Sequence, residues 1–139
     1  MTISFKHKLV AVMNEKTEPG ILMNALAHMC VGFGAHLGAE SLRLSNYEDA
    51  DGNSHPNISE MPFIILKANS NKIRALRQAA CDAGIEFSDF TDTMTVGSYV
   101  EQLERTKQTK EESLVYYGIV LFGEWDTVSQ LTKKFSLWK

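Results

Sequence analysis

The chain has 139 residues, a net charge of −3 and a pI near 5.8, with 44% hydrophobic and 22% charged residues and three prolines. At this length roughly 68% of the unfolded surface can be buried, so one domain spanning 1–139 with a real core is expected, and the composition suggests neither disorder nor a fibrous repeat. There is no positive excess to attract a phosphate backbone, which makes nucleic acid an unexpected partner.

The N-terminal stretch MTISFKHKLV lacks the apolar run and small-residue cleavage site of a leader, and no segment approaches 18 uninterrupted apolar residues. Cys30 and Cys81 fall in apolar helix-like segments without a disulfide spacing. A cytoplasmic protein with reduced thiols and no membrane span is expected.

KLVAVMN at 8–14 reads as a buried central strand. Pro19 suits the first turn of the helix that follows, with Thr17 or Glu18 at its start. Leu22, Ala25, Leu26, Met29 and Phe33 then form one stripe at helical spacing. Ile21, Ala27, Val31 and Ala35 are also uncharged, so the helix is expected to be buried on more than one side. Asn24 and His28, four residues apart, share one face of it.

SLRLSNYEDADGNSHPNI alternates around Asp51-Gly52, the signature of a hairpin. MPFIILKA at 61–68 is a second strand, 69–84 a capped helix ending at glycine, and IEFSDF at 85–90 a third strand. VGSYVEQLERTKQTKEES at 96–113 reads as a solvated surface helix and loop. LVYYGIVLFG at 114–123 is the strongest strand, and EWDTVSQLTKKF closes with an amphipathic helix. Strands alternating with helices predict an α/β layer architecture with helices on both faces of a mixed sheet.

Three segments could carry chemistry. In EDADGN, Asp49, Asp51 and Asn53 occupy positions one, three and five of a calcium loop, with Glu60 beyond it at twelve, but position six, which must be glycine, is Ser54. A solvated turn explains the same letters. His28 and His55 are candidates for a general base or a ligand contact, although neither has metal-ligand companions at suitable spacing, so no metal is expected. DFTDTM at 89–94 gathers carboxylates and hydroxyls just after a strand, where α/β proteins bind ligands. Its competing role is to cap the next helix through Asp92, Thr93 or Thr95. No GxSxG, Walker or GxGxxG pattern appears, and no cofactor is expected.

Taken in order, KLVAVMN, PGILMNALAHMCVGFGAHLG, DADGNSHPNIS, PFIILKA, DFTDT, YYGIVLFGE and LTKKFSLWK resemble the domain-of-unknown-function 2000 family from about residue 6 onward. The resemblance implies a fold like the type 2 peptidyl-tRNA hydrolases: a three-layer α/β/α sandwich around a four-stranded mixed sheet. Against the hydrolase helix motif GKxAAQxxHA, Gly20 and His28 match, while Ile21 replaces the lysine and Ala25 the glutamine. Against DxGRT, Asp89 and Thr93 match, with Thr91 and Asp92 in place of glycine and arginine.

Losing the ammonium removes a phosphate or carbonyl ligand, and Asp92 reverses a charge, so peptidyl-tRNA hydrolysis is not expected. What the resemblance leaves is a small-ligand pocket between the first helix and DFTDT, contacted by Asn24, Thr91, Thr93 and His55. A hydrolase built on His28 and Asp89 is the enzymatic alternative. The third reading is a homodimer through the helix at 19–36 or an exposed edge of YYGIVLF.

Overall fold

In the computed structural model, which describes residues 4–139, β1 (His7–Asn14) leads into α1 (Pro19–Ser41), then the hairpin strands β2 (Leu44–Glu48) and β3 (Ser54–Ser59). β4 (Phe63–Ala68), α2 (Ser70–Asp82) and β5 (Glu86–Thr91) follow, then α3 (Tyr99–Gln108), β6 (Tyr116–Glu124), α4 (Trp125–Thr132) and β7 (Ser136–Leu137). Residues 1–3, part of the stretch read for a leader, lie outside the described residues.

The main sheet has the order β5-β6-β1-β4-β7, with β1 parallel to β4 and antiparallel to β6. It is therefore mixed, as expected, but it has five strands where four were expected. The fifth, β7, pairs Leu66 with Leu137 and Lys67 with Ser136, and two residues are too few to leave a periodic signal in sequence. The β2–β3 hairpin stands as a separate two-stranded sheet.

Alternation along β1 divides the core in two. Leu9, Ala11 and Met13 join Phe90, Val120 and Phe122 on one face, under Leu22, Ala25, Met29 and Phe33 of α1. Val10 and Val12 join Leu66, Ile119 and Leu121 on the other, under Ile73, Leu76 and Ala80 of α2 and Val128 of α4. Where α1 crosses β6 the residue is Gly118, at which a Cβ would lie 2.5 Å from Met13 Sδ and 3.1 Å from Met29 Cε.

Two expectations about α1 and β6 are corrected. Only Leu22, Ala25, Met29 and Phe33 of the predicted stripe are buried, with Leu26 half-buried; Met23 and Val31 are 69% and 76% exposed, because a single sheet face covers the helix and, among the described residues, no second layer lies over it. α1 is long and apolar enough in composition to cross a membrane, yet here its stripe packs on the chain's own sheet. β6 is no edge strand, since β1 and β5 pair with it on either side, so it offers no backbone for pairing with a second copy.

Candidate functional site

His28 and Asp89 are not brought together. On β5, Phe90 points to the α1 face, where its ring centroid lies 5.9 Å from that of the exposed His28. The neighbouring side chain must then point to the opposite face. There Asp89 Oδ2 accepts a 2.7 Å hydrogen bond from Arg77 Nε of α2, and the Arg77 guanidinium lies 5.2 Å from the Phe87 ring. That bond holds the Arg77 proton more firmly and raises its pKa. The sheet itself separates the imidazole from the carboxylate. Asn24 is exposed on α1 one turn before His28.

Thr91 and Thr93 are buried and serve each other. Their hydroxyls are 2.7 Å apart, Thr106 Oγ1 donates to Thr93 Oγ1 at 2.8 Å, and Arg105 Nη1 donates to the Thr93 carbonyl at 3.2 Å. These bonds tether α3 to the 3-10 turn at Asp92–Met94. Asp92 ties the same turn to Val115, just ahead of β6, through Asp92 N to Val115 O at 2.9 Å and Val115 N to Asp92 Oδ1 at 3.1 Å. None of Asp92, Thr93 and Thr95 caps α3. Ser98 does, in a capping box with Glu101: its hydroxyl accepts from Glu101 N while Glu101 Oε1 accepts from Ser98 N.

His55 lies far along the chain in the hairpin, where Nε2 meets Asp49 Oδ2 at 2.9 Å. Asp49 Oδ1 accepts from the Asp51 and Asn53 amides. The His55 contact first and the Asn53 amide next hold the Asp49 carboxyl below its ordinary pKa. EDADGN is thus a turn closed by its own first aspartate.

A further polar cluster escaped the sequence reading. Tyr116 Oη donates to Glu111 Oε2 at 2.8 Å, Arg74 Nε donates to the same oxygen at 3.0 Å, and Arg74 Nη2 also reaches the Leu114 carbonyl. Burial, with Glu111 second, pushes the Tyr116 phenol up to about 12, and the Tyr116 hydrogen bond first of all lowers Glu111. Neither group titrates near neutrality, so the cluster latches the 3-10 turn at Glu111–Ser113 and supplies no acid or base there.

The one structural position that α/β folds use for ligands lies between β1 and β4. These adjacent parallel strands send α1 to one face and α2 to the other, which makes a topological switch point at their carboxyl ends. Its polar groups are already committed. The buried Asn14 donates Nδ2 to Tyr116 O and accepts from Lys16 N, both at 2.9 Å, Ser70 Oγ accepts from Tyr116 N, and Glu15 N bonds Ala68 O.

On the α1 side of that point is a groove of about 240 Å3 between Pro19, Leu22, Met23 and Leu26 of the helix and Met13, Ile65 and Trp138. No residue of DFTDT lines it. The helix contribution was legible as an apolar stripe; Trp138 was not, since its position depends on β7 and on its own amide bonding Ile65 O at 2.9 Å.

Fold and site together define a mixed α/β protein with helices on both sheet faces and an apolar groove beside the switch point. The chain belongs to the family described as protein of unknown function (DUF2000), whose profile matches residues 7–139. A solved structure of a protein of unknown function from Agrobacterium tumefaciens is similar over 98% of this chain and 100% of its own, with a TM-score of 0.84 at 17% identity. That likeness concerns the fold. A search of curated proteins finds no match to this chain.

Proposed function

We propose that the protein is a cytoplasmic binding protein that takes a small apolar molecule, or one apolar side chain of a larger one, into the groove between α1 and Trp138. The carrying observation is the groove's place beside the β1/β4 switch point, with a lining of apolar side chains. At about 240 Å3 it is smaller than the ~300–1,000 Å3 typical of drug-sized sites, which favours a single ring or a short branched chain. The ligand then lies on the flank of α1 away from DFTDT, where Thr91 spends its hydroxyl on Thr93 and Thr93 in turn bonds Thr106 of α3.

The resemblance of Gly20 and His28 to the type 2 peptidyl-tRNA hydrolase helix motif fits this reading as a shared framework without that chemistry. Ile21 carries no charge for a phosphate, and the sheet parts His28 from Asp89.

Trp138 fluorescence tests the proposal in a Trp125→Phe background, titrated with benzene, short aliphatic alcohols and branched ketones. A saturable shift that disappears when Leu26→Phe fills the groove is expected. No saturable response to any probe, or one indifferent to Leu26→Phe, refutes it.

A further inference from the structure

α3 is built with its apolar side outward. Tyr99, Val100 and Leu103, with Val96 just before the helix, are 53–72% exposed, and no residue of α3 is buried. Its inner side is polar instead: Arg105 and Thr106 bond Thr93, and Gln102 Nε2 donates to the Gly97 carbonyl at 3.1 Å. At 100° per residue, Glu104 borders the apolar stripe on the side away from those tethers, with Glu101 beyond it. An amphipathic helix held by its polar side presents the surface that partner helices use for docking.

The same chain carries a complementary surface. Between α2 and α4 runs a groove of about 640 Å3, with Ala75, Leu131 and Phe135 in its walls and Lys72, Lys133 and Lys134 around it. Among the described residues none of these three lysines is in an ion pair, and all three are exposed. α2 spans 13 residues, roughly 20 Å, ample for the two turns of α3 that carry the stripe.

We propose that α3 seats its Tyr99, Val100 and Leu103 side in the α2/α4 groove of a second copy of this chain, with Glu104 meeting the lysine rim. Apolar side meets apolar walls, and acidic edge meets basic rim, which gives the pairing both affinity and register. Helix and groove are different patches, so one contact alone is heterologous; two reciprocal contacts close a two-fold dimer. A single helix stripe of a few hundred Å2 falls short of the roughly 1,200 Å2 of a stable interface, and the reciprocal pair approaches it.

Sedimentation velocity of the full chain, from low micromolar to near millimolar concentration, tests the proposal, with far-UV circular dichroism confirming that each variant is folded. The wild type should dimerise reversibly, and Leu103→Asp or the double change Lys133→Glu/Lys134→Glu should each weaken it about tenfold or more. Mixing those two variants restores one of the two contacts, so they should associate with each other more strongly than either does with itself but more weakly than the wild type does. Adding Glu104→Lys to the lysine double variant should restore association. A wild type monomeric at every concentration overturns the proposal, and so does a dimer that the lysine changes leave intact.

Discussion

Replacing Thr93 by valine tests how α3 is held. The side chains are nearly the same shape, so the change removes a hydroxyl and little else. Two contacts go: the 2.7 Å pairing with Thr91 and the 2.8 Å bond from Thr106. The single Thr106 hydroxyl proton can turn to the Gln102 carbonyl, 2.8 Å away, whereas Thr91, only 1% exposed, is left without its partner. One orphaned buried hydroxyl plus one lost bond should cost about 2 kcal/mol, a fall in Tm of roughly 6 °C for a domain of this size. Thr93→Ser keeps the hydroxyl and should lose only the methyl's share, about 1 kcal/mol. Urea melts give the global cost, and hydrogen exchange should show α3 amides losing protection first, because polar bonds rather than buried side chains anchor that helix. If Thr93→Val lies within about 0.5 kcal/mol of the wild type and α3 protection is unchanged, the hydroxyl chain is not the tether.

Three other substitutions probe the remaining polar features. Arg77→Ala strands an Asp89 carboxylate that is 16% exposed and should cost about 1–3 kcal/mol, discounted because Arg77 itself is 34% exposed; Arg77→Met with Asp89→Leu should cost less than Arg77→Ala alone in chemical melts. Ser98→Ala removes the capping box and should cost about 1 kcal/mol, read as faster exchange in the first turn of α3. Because the folded state raises the Tyr116 phenol from 10.0 to about 12, its contribution is complete below pH 10.0 and is lost as pH climbs toward 12. Tyr116→Phe should therefore flatten the alkaline limb of the stability curve while giving up about 1 kcal/mol of hydrogen bonding at neutral pH.

Much of the layering was legible in the sequence, since each long element carries its own period. The apolar runs at 8–14, 61–68 and 114–123 became β1, β4 and β6, and the Asp51-Gly52 turn became the hairpin. The site was less legible, for a geometric reason. DFTDT reads as one cluster of polar letters, but in an extended strand neighbouring side chains part to opposite faces, so Asp89 goes to Arg77 and Phe90 to His28. A register irregularity between Phe90 and Thr91 then breaks the alternation, Thr91 bonds Thr93, and no local pattern announces such a bulge. The capping box is written plainly as Ser98-x-x-Glu101, but the DTMT letters upstream offer several more side-chain oxygens that could cap the same helix. Uncharged residues around α1 say that the helix can be covered all round, not that a second layer exists to cover it.

The shortest strand governs the order in which the sheet is completed. Until residues 136–138 have emerged from the ribosome, β4 presents a bare row of backbone donors and acceptors on its outer side, a template for unwanted strand addition between nascent chains. Anything bulky held against residues 136–138 will compete with that pairing, so an insertion near β7 is better set behind a long flexible spacer.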